Sequence, residues 1–231
     1  DKCPTSWYDA AFLGNGLIGT TIFSCAENQL CWKVSRTDVT DVRKNTSPLY
    51  GKRRLPVGEL VLETVGTIES ASMRQDLYNA EVRCAIITDK GTITLKSLIH
   101  SEDICLFINM ETTGEESDAL LFFQEQLPIC NESHKPYFEN PEEFYQHEAN
   151  AHPMPEAELC GDLHVLHQSL IDGSAYATVW CEKRSSEEKR QVFLSIDKGE
   201  DKFSGSEKAK EAVKKAIKAE RKAWISSHRK A

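Results

Sequence analysis

The stretch Glu81-Val82-Arg83-Cys84-Ala85-Ile86-Ile87-Thr88, then Asp89-Lys90-Gly91, then Thr92-Ile93-Thr94-Leu95-Lys96-Ser97-Leu98-Ile99-His100, decides the fold class. Apolar residues recur with a period near two on both sides of a short polar turn. Successive side chains on a strand point to opposite faces, so this is a strand signature. The glycine supplies the backbone freedom that a hairpin bend favours. Working outward, the same pattern covers 16–25 and 30–35 around Glu27-Asn28, and 57–65 after a polar loop. It returns at 104–111 and 119–126 around Thr113-Gly114-Glu115-Glu116, and then at 162–170, 175–182 and 191–196, with Asp172-Gly173 as a further turn. At least nine strands in consecutive hairpins, with no helix between them, predict an all-β antiparallel protein. Imperfect alternation in Val61-Leu62-Glu63-Thr64-Val65 and Phe107-Ile108-Asn109-Met110 predicts strands buried on both faces, which a large two-sheet sandwich provides.

Two regions depart from this rhythm. Residues 128–158 carry Pro128, Pro136, Pro141, Pro153 and Pro155 with many carboxylates, and read as an excursion from the sandwich rim. After Phe203 the pattern turns helical. Ser204 and Glu207 have capping-box spacing, and Ala209, Ala212, Val213, Ala216, Ile217, Ala223 and Trp224 form a narrow stripe. The expected organisation is therefore a β-sandwich domain over 1–203 and a linker helix over 204–231. The chain opens at Asp1 without a methionine and closes at Ala231 inside a lysine-rich helical pattern. It reads as a processed piece of a longer, exported protein.

Composition narrows the function classes. The net charge of −8 over 231 residues argues against nucleic-acid binding, and the longest apolar runs are too short to span a bilayer. The basic C-terminal helix reads as a solvated helix with a docking stripe, because a stripe made mostly of alanine buries little area. Histidines 147 and 152 are five apart and followed by prolines, so the zinc-protease pattern fails. His164 and His167 fall on opposite faces of one strand. The eight cysteines contain no Cys-x-x-Cys pair, so neither a structural metal nor a cofactor is expected. Cys84, Cys105 and Cys181 read as small apolar core residues, and a Cys130–Cys160 bridge would pin the excursion. Gly14-Asn15-Gly16 precedes a strand rather than opening a helix, so it reads as a tight turn and not a phosphate loop.

Three ordered stretches carry a family resemblance. Trp7-Tyr8-Asp9-Ala10-Ala11-Phe12-Leu13-Gly14-Asn15-Gly16-Leu17-Ile18-Gly19 resembles the opening of the N-terminal domain of bacterial glycoside hydrolases of the family 95, α-L-fucosidase-like, type. Leu55-Pro56-Val57-Gly58-Glu59-Leu60-Val61-Leu62 looks like a strand of that domain, and Met73-Arg74-Gln75-Asp76-Leu77-Tyr78-Asn79-Ala80-Glu81-Val82 like its arginine-aspartate segment. Between Leu30 and Val42 the chain departs from the fucosidase form and looks closer to a divergent branch. The resemblance implies a galactose-mutarotase-like super-sandwich, then a helical linker, then a catalytic (α/α)6 barrel. The family's catalytic carboxylates lie in that barrel, so no catalytic residue carries over. The expected function is a non-catalytic N-terminal domain that packs against the barrel and shapes its sugar cleft, in a secreted or periplasmic enzyme. Carbohydrate would then be met through the full-length enzyme. Candidate substrate-facing residues are Asn15, Asp38, Asp41, Arg74 and Asp76. The alternatives are an autonomous carbohydrate-binding module, which needs an exposed aromatic platform, and a mutarotase-type epimerase. The epimerase would need a histidine facing a carboxylate, with His100, His164 and His167 as candidates.

Overall fold

The computed structural model describes residues 3–41, 54–128 and 152–229. Strands β1 (Ala11–Gly14), β2 (Ile18–Ala26), β3 (Gln29–Arg36) and β4 (Gly58–Glu63) lie side by side in one sheet. The chain then crosses to a second sheet and runs through β5 (Ile68–Asp76), β6 (Glu81–Thr88), β7 (Gly91–Ile99) and β8 (Leu106–Gly114). After a 3-10 turn at Glu115–Asp118 it returns to the first sheet as β9 (Leu120–Glu125), which pairs with β4. The strands β10 (Glu156–Cys160), β11 (Leu163–Ser169), β12 (Ala175–Ser186) and β13 (Lys189–Gly199) complete the second sheet. The result is a five-stranded sheet in the order β1-β2-β3-β4-β9 facing an eight-stranded sheet in the order β10-β11-β12-β13-β8-β7-β6-β5. Every pairing is antiparallel. The protein is an all-β, two-sheet sandwich.

The quoted hairpin is found with a tighter turn than read: Asp89-Lys90 alone joins β6 to β7, and Gly91 belongs to the strand, where it pairs with Thr88. The bend at Thr113–Glu116 is not a hairpin. The buried carboxylate of Glu116 accepts from the backbone N–H of Gly66 at 2.8 Å and from Thr88 Oγ1 at 2.6 Å. That anchor turns the chain from one sheet to the other. Residues 129–151, including Cys130, lie outside the described residues, while the end of the expected excursion forms the edge strand β10.

Alternation places two apolar cores. The inner faces of both sheets meet around Ile22, Trp32, Leu60, Ile86, Ile108 and Leu194. The second core lies on the outer face of the larger sheet, where Phe107, Val179, Cys181 and Phe193 are covered by two helices. These are α1 (Lys202–Lys218) and α2 (Arg221–His228). The expected helix is therefore two, and it starts earlier than the Ser204–Glu207 spacing suggests. Asp201 caps α1 by accepting from the Phe203 and Ser204 backbone N–H groups, and Ser204 closes the box. Gly199 lets the strand end pass against this turn, since a Cβ there would overlap Ser204 and Gly205. Glu220 caps α2 through Lys222 and Ala223. The stripe residues Ala209, Val213, Ala216 and Trp224 are buried. Among the described residues no helix is long and apolar enough to cross a membrane.

Candidate functional site

The helices cover only part of the larger sheet's outer face. Beyond their margin a lateral row of side chains is set by strand register. Arg74 faces Arg83, Arg83 faces Lys96, Lys96 faces Asn109, Asn109 faces Gln191, and Gln191 faces Lys183. Because the register is antiparallel and the period is two, one residue from each strand reaches the same level of the same face. A groove of about 340 Å³ opens here, lined by Ser72, Arg74, Arg83, Thr94, Lys96, Asn109 and Glu111 among others.

Like charges directly opposite one another are unfavourable, so the row needs compensation. The neighbouring row supplies part of it, since Asp76 faces Glu81. Glu81 is fully enclosed and takes Arg83 Nε at 2.8 Å, Lys96 Nζ at 2.8 Å and Arg229 Nη2 at 3.3 Å. Burial works against its ionisation, but the hydrogen bonds from Lys96 and Arg83 outweigh it and hold Glu81 below the ordinary carboxylate range. Asp76 accepts from the Asn79 side chain at 2.8 Å and its backbone at 3.0 Å, and these bonds lower it too. Arg74 is exposed and has no hydrogen bond or ion pair among the described residues. Among the described residues it is the uncompensated cation at the groove.

The other sequence candidates lie elsewhere and are not brought together with Arg74 and Asp76. Asn15 is a structural pin. Its Oδ1 accepts from the backbone N–H of Leu17 at 3.1 Å and of Ile18 at 3.0 Å, and its Nδ2 donates to the carbonyls of His100 at 3.0 Å and Asp103 at 3.3 Å. Gly16 completes this turn with φ of 88°. Asp38 pairs with Arg36 at 2.7 Å, and Arg36 reaches across to Asp197 at 3.3 Å, tying β3 to β13. Asp41 is fully buried with its Oδ1 3.5 Å from His152 Nε2. The Ile171 backbone N–H donates to His152 Nδ1 at 3.1 Å, so Nε2 is the ring nitrogen that faces Asp41. Neither Asp38 nor Asp41 opens on the groove above the larger sheet.

A second groove of about 550 Å³ runs between β9 and the β10–β12 edge, lined by Leu121, Phe123, Leu159, His164 and Trp180 among others. His164 faces Trp180 in register and stacks on it, with ring centroids 4.2 Å apart and planes 9° from parallel. Trp32 is a core residue, as its strand pattern suggests, but Trp180 is only half-buried and lines this groove. His167 points the other way and meets Glu158 at 3.0 Å, a partner the sequence did not identify. His100 follows the end of β7 and stacks on Trp224 at 4.5 Å. Cys160 donates to the same Glu158 at 3.0 Å.

Arg83, Lys96 and Asn109 were missed in the sequence because only register reveals their neighbours. The available signal was an outward-facing cation in each of three consecutive strands. No protein-family model matches the chain, and the search of curated proteins gives no match either.

Proposed function

We propose that this chain is a non-catalytic β-sandwich domain of a glycoside hydrolase, and that the cationic strip beyond the helices is its working face. The observation that carries this reading is the groove at Arg74, Arg83, Lys96 and Asn109, with an exposed guanidinium that has no side-chain partner among the described residues. Guanidinium, ammonium and amide groups at one level, with the hydroxyls of Ser72 and Thr94 one row away, form the donor set that sugar hydroxyls and carboxylates accept from. The placement of Asn15 and Asp38 agrees with a scaffold role, since each makes structural bonds. The test is calorimetric titration of the chain with neutral and acidic oligosaccharides, beside an assay on aryl glycosides. Expected are no turnover and a saturable interaction that Arg74→Ala weakens. Turnover of a glycoside by this chain, or an interaction indifferent to Arg74→Ala, would overturn the reading.

A second reading, autonomous sugar binding at the other groove, is favoured by the half-buried Trp180 between His164 and Phe123. Flat rings offer the face that sugar C–H groups stack on. Quenching or shift of Trp180 fluorescence by the same oligosaccharides, lost in Trp180→Phe, would select it over the strip.

A further inference from the structure

We propose that Cys25, Cys31 and Glu59 form a binding site for a zinc-class divalent cation on the outer face of the smaller sheet. The three residues come from neighbouring strands β2, β3 and β4, and one donor atom from each lies within 4.8 Å of the other two. Nothing local in the sequence shows this, because the second cysteine and the glutamate are far apart along the chain.

Local structure explains the convergence. Leu30, Trp32 and Val34 fill the sandwich core, so alternation turns Cys31 to the outer face, where it is nonetheless fully buried. Cys25 sits at the irregularity between Ser24 and Ala26 where the β2–β3 register shifts. Phe23 lies opposite Cys31 on the outer face, and a period of two carries Cys25 to that same face. Glu59 is held from behind: Gln126 Nε2 donates to its Oε1 at 2.7 Å and Lys33 Nζ lies 3.2 Å from the same oxygen. Outer partners of this kind fix the orientation of a ligating carboxylate.

The donor chemistry selects the ion. Two sulfurs and one oxygen suit a borderline cation, whereas calcium and magnesium take oxygen sets. Tetrahedral zinc with bonds of about 2.3 Å to sulfur needs sulfurs about 3.8 Å apart, so the cluster has to close by no more than about 1 Å. Three protein donors leave a fourth position for water. Without a cation, ionising both thiols would gather three negative charges within 4.8 Å of one another. A divalent cation replaces two thiol protons and removes that repulsion. The site would strap β2, β3 and β4 together, independently of any sugar binding.

The test uses the full chain, reduced and stripped with a chelator, titrated with Cd²⁺ as a thiolate-sensitive probe and with Zn²⁺. Expected is one cadmium per chain by native mass, with a thiolate-to-metal charge-transfer band that Cys25→Ser abolishes. Cys25 is exposed, so this variant is expected to fold, which its melting curve without metal checks. Glu59→Gln should weaken binding at least about tenfold. Zinc should raise the melting temperature of the wild type and leave that of Cys25→Ser unchanged. A wild-type chain without the band, a Cys25→Ser chain that binds as tightly, or isolation of the pair as a Cys25–Cys31 disulfide would overturn the proposal.

Discussion

The carboxylate of Asp103 accepts a 2.6 Å hydrogen bond from the indole nitrogen of Trp224, a residue 121 positions further along the chain. Its other oxygen takes Lys215 Nζ at 2.6 Å. One carboxylate in the β7–β8 connection thus holds both α1 and α2. Trp224 meanwhile stacks on His100 and meets Phe107 edge-on at 5.8 Å. Asp103→Ala should cost about 2 kcal/mol, because a hydrogen bond to a charged group is lost and a mostly buried indole N–H is left without its acceptor. Lys215→Ala should cost well under 1 kcal/mol, since Lys215 is largely exposed. Urea denaturation followed by tryptophan fluorescence measures both.

The same carboxylate sets a pH dependence. Burial opposes its ionisation, but the hydrogen bonds from Lys215 and Trp224 outweigh burial and hold Asp103 below the ordinary carboxylate range. A folded-state value below the unfolded one, which is about 3.9, gives stabilisation that is complete above the unfolded value. It is lost as pH falls through that value towards the folded one. Acid denaturation monitored by Trp224 emission should therefore show a loss of stability below about pH 4. In Asp103→Asn this part of the loss should be absent. An unchanged difference between pH 7 and pH 3 in that variant would contradict the assignment.

What the sequence made legible follows strand position. β6 and β7 lie inside the larger sheet, and their buried alternation and local turn are both written in consecutive residues. The unread strands β1, β5 and β10 are all sheet edges. In β5, Ile-Glu-Ser-Ala-Ser-Met-Arg-Gln-Asp buries only Met73, so no apolar rhythm marks it. In β10 no side chain is fully buried. The candidate sites were legible in one residue type at a time. Arg74 and Asp76 could be named, but their meeting with Arg83 and Glu81 depends on a register that no single segment encodes.

Asn15 illustrates a candidate whose chemistry is spent on the fold. All of its donor and acceptor capacity is directed at backbone groups of its own turn and of the β7–β8 connection. Asn15→Asp keeps the acceptor half and sets a carboxylate against the carbonyls of His100 and Asp103. It should destabilise by about 2 kcal/mol, and Asn15→Ala by a similar amount. Neither should change ligand affinity once the fraction folded is accounted for. Paired melting curves and calorimetric titrations separate the two effects.

Glu81→Gln probes the support under the groove. The carboxylate is enclosed, but Arg83, Lys96 and Arg229 are each partly exposed and regain water when it is neutralised. The stability loss is therefore expected near 1–2 kcal/mol rather than the 3–5 kcal/mol of a pair buried on both sides. Arg83 and Lys96 would no longer be held at fixed positions facing the groove. Affinity for an acidic oligosaccharide should fall although Glu81 itself is shielded from it, and raised salt should then weaken the remaining binding more steeply than in the wild type.

Arg74 separates binding from stability most cleanly. It faces Arg83 across the β5–β6 pair, so removing it relieves a like-charge contact and breaks no bond among the described residues. Arg74→Ala should melt within about 0.5 kcal/mol of the wild type or slightly above it. Its affinity for an acidic oligosaccharide should drop by roughly tenfold or more, the equivalent of one charge-assisted hydrogen bond of about 1.5 kcal/mol. Arg74→Lys keeps the charge but loses the planar fork, and should recover only part of that affinity. A stability loss in Arg74→Ala would mean that this guanidinium serves the fold after all. Full recovery by Arg74→Lys would mean that the groove reads charge without geometry.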